Sequence, residues 1–168
     1  MKAKKVLVLF FMVLGCISCK DKEELLPLTP MDGSWEYSFY NSDQKFFFVY
    51  QYIFDPTGTL EKNILVRESD SPTILGYYSH STGSYELRGE VFKEVISKQY
   101  ELALDAYLFY VPKDQLQEVT TSNASSQTGK LTFSPNNRSF EILYPCNDTS
   151  SSILANCIGP LTYRRVDN

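Results

Sequence analysis

Apolar and polar positions alternate with a period of two along most of the chain from residue 33 onward. In residues 33–40, Trp35, Tyr37 and Phe39 alternate with Ser34, Glu36 and Ser38. That pattern puts three aromatic side chains on one face of a half-buried strand. Residues 45–54 are almost wholly apolar or aromatic, which predicts a strand covered on both faces, or a wall between an interior and a partner. Asp55, Pro56, Thr57 and Gly58 then supply turn chemistry, with Pro presetting φ and Gly accepting a positive φ. Residues 59–67 continue as the second arm of a hairpin. Residues 68–73 read as a loop, followed by strands at 74–79 and 82–87, a turn at 88–90 and a strand at 91–97.

Residues 100–111 carry two signals. Glu101 to Ala106 suits a helix by propensity, but Leu102, Leu104, Ala106, Leu108 and Tyr110 alternate cleanly, so a strand is predicted. Residues 112–118 are the best candidate for a short helix, with Pro112 at its start. A polar loop follows at 122–127. Residues 130–133 and 139–144 form a hairpin, and residues 161–166 form the last strand. About ten short strands at regular spacing, with at most one short helix, predict an all-β barrel or sandwich. A barrel would also remove the sheet edges that such apolar strands leave open to aggregation.

The first 18 residues do not belong to the fold. Lys2, Lys4 and Lys5 form a basic region, and residues 6–14 form an apolar run too short to span a bilayer as a helix. Small residues before a cysteine then resemble a bacterial lipoprotein signal, in which cleavage precedes a cysteine that is acylated. Cys19 is the favoured site, because residues 20–24 behind it form a charged run similar to those of Bacteroidetes-type lipoproteins. Cys16 is the alternative. Residues 19–31 read as a lipid-anchored tether, in which Pro27 and Pro30 oppose helix. The resemblance implies anchoring to the outer membrane of the cell envelope, with surface display. Acyl chains contribute about 0.8 kcal/mol per buried methylene, and more than one chain holds a protein stably on a membrane.

Residues 32–168 have the length of a single domain with one core. Loss of the three leader lysines would take the formal charge of −4 to about −7, which argues against nucleic acid as a partner. Cys146 and Cys157 bracket a polar loop, and outside the cytoplasm they read first as a disulfide contributing roughly 2–3 kcal/mol. Metal binding is the weaker reading, since neither His nor further Cys stands nearby to complete a site.

Taken in order, Gly33-x-Trp35, Phe54-Asp55-x-x-Gly58-Thr59, Thr82-Gly83-Ser84-Tyr85 and Leu161-x-Tyr163-x-Arg165-Val166 resemble the lipocalin-like domains of bacterial lipoproteins. The resemblance covers nearly the whole of residues 32–168. It implies an antiparallel up-and-down β-barrel of about 8–10 strands. It also implies an arginine packed over the first-strand tryptophan. Arg165 is the candidate, because it shares a face with Leu161 and Tyr163; Arg164 is the fallback. The long 145–160 segment and the lack of a long helix before the last strand depart from secreted lipocalins.

Catalytic chemistry is not apparent. His80 is the one histidine and is flanked by serines, and the carboxylates are scattered. There is no nucleophile elbow, zinc-binding helix motif, phosphate loop, EF-hand or other cofactor motif. Glycosylation sequons at Asn123, Asn137 and Asn147 fall in predicted loops. The expected function is therefore non-enzymatic, with no metal: an anchored barrel that binds a small apolar or amphipathic ligand. The candidate lining is Phe46, Phe48, Tyr50, Tyr52, Leu102, Leu104 and Leu108. The rival is a filled barrel whose outer surface meets a protein or glycan, which its many tyrosines would suit. A hollow of roughly 300 Å³ or more would favour the ligand reading.

Overall fold

The computed structural model describes residues 30–69, 71–103, 106–120, 125–145 and 159–166. Nine strands are present among them: β1 Gly33–Asn41, β2 Phe46–Phe54, β3 Thr59–Glu68, β4 Ile74–Arg88, β5 Val91–Glu101, β6 Gln117–Glu118, β7 Ser125–Phe133, β8 Ser139–Leu143 and β9 Leu161–Val166. Every pairing is antiparallel. The order β4-β3-β2-β1-β9-β8-β7-β5, with β4 also paired to β5, closes an eight-stranded barrel. This is the architecture of a lipocalin-like up-and-down barrel. The two-residue β6 adds to the edge of β5 at Tyr100 and Glu101.

Tight turns hold one end of the barrel. Gly58 has φ +85° and donates its N–H to the Asp55 carbonyl at 2.9 Å, while the Asp55 carboxylate accepts from the Thr57 N–H at 2.9 Å. Gly89 sits at φ +61° between β4 and β5. Above these turns, Trp35, Phe54, Leu60, Phe92, Leu131 and Phe140 are buried together. They come from six strands, and alternation points them all inward. The Phe140 ring lies 4.8 Å from Trp35, and Phe54 meets Phe92 edge-on at 6.0 Å. This half of the barrel is solid.

Gly33, Trp35 and Arg165 meet at the closed end. The Arg165 guanidinium lies over the Trp35 ring, 4.4 Å from its centroid. It donates to the carbonyls of Asp32 at 2.8 Å and Pro30 at 2.7 Å. The Trp35 indole N–H donates to the Met31 carbonyl at 2.6 Å. Gly33 has φ +107°, and a Cβ there would come within 3.4 Å of the Arg165 guanidinium. The backbone must therefore turn left-handed directly beside the arginine, which favours glycine. Arg164 is on the exposed face.

Several local expectations are corrected. Residues 74–88 form one strand of 15 residues, so His80 and Ser81 lie within it and not in a connection. Register shifts in its pairings let it bend around the barrel. Residues 125–127, expected in a loop, extend β7. The expected helix at 112–118 shrinks to a single 3₁₀ turn at Lys113–Gln115 followed by β6. Most of the strand expected at 100–111 does not form, because β5 ends at Glu101. The Leu102 N–H still reaches the Tyr78 carbonyl, and the chain comes back to the same β4 edge at Val111, which pairs with Tyr77. The described residues between, 103 and 106–110, leave the wall, and the side chain of Tyr107 is fully exposed. Their alternation has no partner strand to convert it into a ladder.

Candidate functional site

The interior changes character halfway up. Tyr52 and Tyr163 form a layer, with their rings 5.0 Å apart and edge-on. Beyond them β1 and β2 continue with Tyr37 and Tyr50, but β3, β4 and β7 bring a mixture of charged, aliphatic and small polar side chains to the interior. Lys62 pairs across the strands with Tyr52 and Ser81, Ile64 with Tyr50 and Ser79, and Ile96 with Ser125. Cross-strand partners share a face, so three serines face the interior where the closed end has aromatic rings. Small side chains leave space. A chamber of about 260 Å³ opens here, lined by Tyr50, Tyr52, Lys62, Ile64, Tyr78, Ser79, Ser81, Glu94, Ile96, Gln99, Glu101, Ser125 and Gln127 among others. It is slightly smaller than the roughly 300 Å³ of an ordinary small-molecule cleft, and its lining is as polar as it is apolar.

A charged pair forms its floor. Glu94 is 1 % exposed. Lys62 Nζ donates to Glu94 Oε1 at 2.8 Å and sits 5.1 Å from the centre of the Tyr52 ring. The Tyr52 hydroxyl lies 3.4 Å from both Glu94 Oε2 and the Tyr144 hydroxyl. Burial opposes the charge on Lys62, but Glu94 and neighbouring tyrosines more than offset this and raise its pKa. Burial also pushes the Tyr52, Tyr144 and Tyr163 hydroxyls up, with Glu94 adding to each shift. These phenols stay protonated at physiological pH.

The sequence-derived lining divides among different places. Tyr50 and Tyr52 face the chamber. Leu102 and Leu108 line a second hollow of about 260 Å³ beneath residues 106–109, and the two hollows share Tyr78 and Glu101. Phe46 and Phe48 pack against each other at 5.2 Å, with Phe46 also against Phe109 and Phe48 against Tyr78. They line neither hollow. Leu104, Cys16, Cys19, Cys146 and Cys157 lie outside the described residues.

Around the mouth stands an apolar rim. Phe39, Tyr40, Ile74, Leu75, Tyr78, Tyr107, Leu108 and Phe109 are all exposed. They cluster here because β1, β2 and β4 meet at this end and the 102–110 excursion leaves from it. Phe39 stacks on Phe48 at 5.5 Å.

A polar belt on the outer face supports the same half of the barrel. Arg67 makes two hydrogen bonds to Glu36, at 2.7 and 2.6 Å. Gln51 donates to Glu36, Asn63 donates to Gln51 and to Glu61, and His80 Nδ1 donates to Asn63 Oδ1, each at 2.9 Å. Lys113 Nζ reaches Glu61 at 2.7 Å and so fastens the 3₁₀ turn to β3. The belt connects β1, β2, β3 and β4. The sequence signal was present, since Glu36, Gln51, Asn63 and His80 stand at the outward alternate positions, but nothing in it shows that they join.

His80 is also stacked on Tyr100 at 5.8 Å. Burial first, and then Lys113, depress its pKa, against a smaller opposing effect of Glu61. Burial raises the Glu61 pKa, but hydrogen bonds from Lys113 and Asn63 outweigh this and leave it lowered. A depressed folded-state pKa gives stability that is present above the unfolded value and lost as pH falls through the folded one. Both groups therefore act in the same direction. Melting temperature is expected to fall as pH drops from about 6.5, the ordinary histidine value, into the carboxylate range. H80Q, measured by thermal melts across this window, should flatten the upper part of that fall.

The fold and the site define a closed antiparallel barrel, solid at one end and hollow at the other. Comparisons with protein-family models, with curated proteins and with solved structures find no match. Among the described residues, no group of His, Cys, Asp and Glu could hold a metal ion.

Proposed function

We propose that this protein is a lipid-anchored, lipocalin-like lipoprotein of the cell envelope that holds a small amphipathic ligand in the open half of its barrel. The carrying observation is the chamber of about 260 Å³ beside a second hollow of similar size whose lining includes Leu102, Leu108 and Phe109. One offers hydroxyl, amide and charged groups, and the other offers Leu102, Leu108 and Phe109. A ligand with a polar and an apolar part matches that division. Titration with short-chain amphiphiles while following thermal unfolding tests this reading. A ligand at one hundred times its Kd should stabilise by about 2.7 kcal/mol. Absence of any dose-dependent shift across lipids, haem and bile-acid-like compounds would remove it.

The anchor is tested separately. C19A is expected to abolish incorporation of a labelled fatty acid and release the protein from the membrane fraction. C16A should leave both intact, and the reverse pattern would assign the lipid to Cys16. A second reading, a surface module for a protein or glycan, draws on the exposed rim of Tyr40, Tyr107 and Phe109. Y40S/I74S, at exposed rim positions that line neither hollow, would abolish partner capture on that reading while leaving chamber binding in place.

A further inference from the structure

The chamber contains charges of both signs, and their placement bears on what it accepts. Lys62 is bonded to Glu94, and Glu101 stands higher in the wall. The lining thus carries one ammonium against two carboxylates. An anionic group entering it meets net negative charge, with the Glu94 carboxylate buried and poorly screened. A cationic group meets Lys62, which is the more accessible member of the pair at 31 % exposure. At the floor Lys62 and Glu94 neutralise each other, and the Glu101 carboxylate above already accepts from Gln99, so the lining offers a ligand no unengaged charge of either sign.

The remaining polar lining is neutral and two-sided. Ser79, Ser81 and Ser125 each carry a hydroxyl that donates and accepts, and Gln127 carries an amide that does both. Among the described residues, none of these four side chains is spent on a hydrogen bond to another residue. Gln99 donates to Glu101, which leaves its carbonyl oxygen as an acceptor. Tyr50 and Tyr78 add aromatic surface and hydroxyls above.

We propose that the chamber recognises an uncharged, hydroxyl-rich group of glycosyl type, with any apolar tail running past Tyr78 into the hollow lined by Leu102 and Leu108. The proposal rests on the ligand-binding reading above. A glycosyl ring presents several hydroxyls that each donate and accept, matching serines and amides that do the same. Its C–H faces suit tyrosine rings, and it brings no charge to the Lys62–Glu94 floor. Two sources share this chemistry: a free sugar and the head group of a glycolipid.

The test is calorimetric titration of the intact protein with octyl glucoside, octyl sulfate and octylammonium, each below its micelle concentration, and with free glucose. Octyl glucoside is expected to bind at least about tenfold more tightly than either charged octyl amphiphile. S81A/Q127L should weaken octyl glucoside about tenfold and leave octyl sulfate unchanged. Glucose binding as well as octyl glucoside would identify a free sugar as the source, and binding that needs the tail would identify a glycolipid head. Equal or tighter binding of a charged amphiphile would overturn the proposal and leave the ligand-binding reading standing. If none of the four probes binds, both fall.

Discussion

K62M is expected to destabilise the protein by about 3–5 kcal/mol, because it leaves the Glu94 carboxylate buried without its partner. Glu94 is 1 % exposed, its Oε1 depends on Lys62 at 2.8 Å, and the Tyr52 hydroxyl at 3.4 Å is a weak substitute. The double variant K62M/E94L should recover most of the loss, since two apolar side chains of similar size need no mutual compensation. Denaturant unfolding of the two variants and the parent checks both statements. A small loss for K62M would mean that water or another group already solvates Glu94. The same pair of variants separates stability from recognition, because the double variant replaces a polar chamber floor with an apolar one.

W35A should cost a similar amount, about 3–5 kcal/mol, by opening a cavity in the solid half of the barrel. Trp35 is fully buried, touches Phe133 and Phe140, and carries Arg165 on its face. R165A should cost less. A cation–π contact contributes about 0.5–2 kcal/mol, and the freed carbonyls of Pro30 and Asp32 add to the loss. Each substitution removes part of the other's contact, so the two effects should not add in the double variant. Thermal and denaturant melts of the three proteins measure this coupling, and strict additivity would show that the stacking contributes nothing.

The closed end was the legible part of this molecule. Strict alternation in residues 33–40 and the Asp55–Gly58 turn are local signals, and each survives in the fold because a neighbouring strand satisfies it. The same rule misread residues 100–111. Alternation specifies faces but not the presence of a partner, and the β4 edge that this stretch would need is taken again by Val111. The chamber was legible only in part. Tyr50 and Tyr52 are visible as aromatic candidates, whereas Ser81, Ser125 and Gln127 read as connection or loop residues and Ser79 as the last residue of a strand. Small polar residues are the usual content of turns, and only barrel closure shows that these face an interior. The Lys62–Glu94 pair joins residues 32 positions apart, and no local pattern connects them.

The central claim is that one half of the barrel is filled and the other receives a ligand. The most direct measurement is an amide chemical-shift map of the intact protein titrated with octyl glucoside. Saturable shifts are expected at Ile64, Ser79, Ser81, Ile96 and Gln127, with Leu60, Phe92 and Leu131 unmoved. Shifts confined to the outer rim at Tyr40, Ile74 and Tyr107, with the chamber residues silent, would contradict the account.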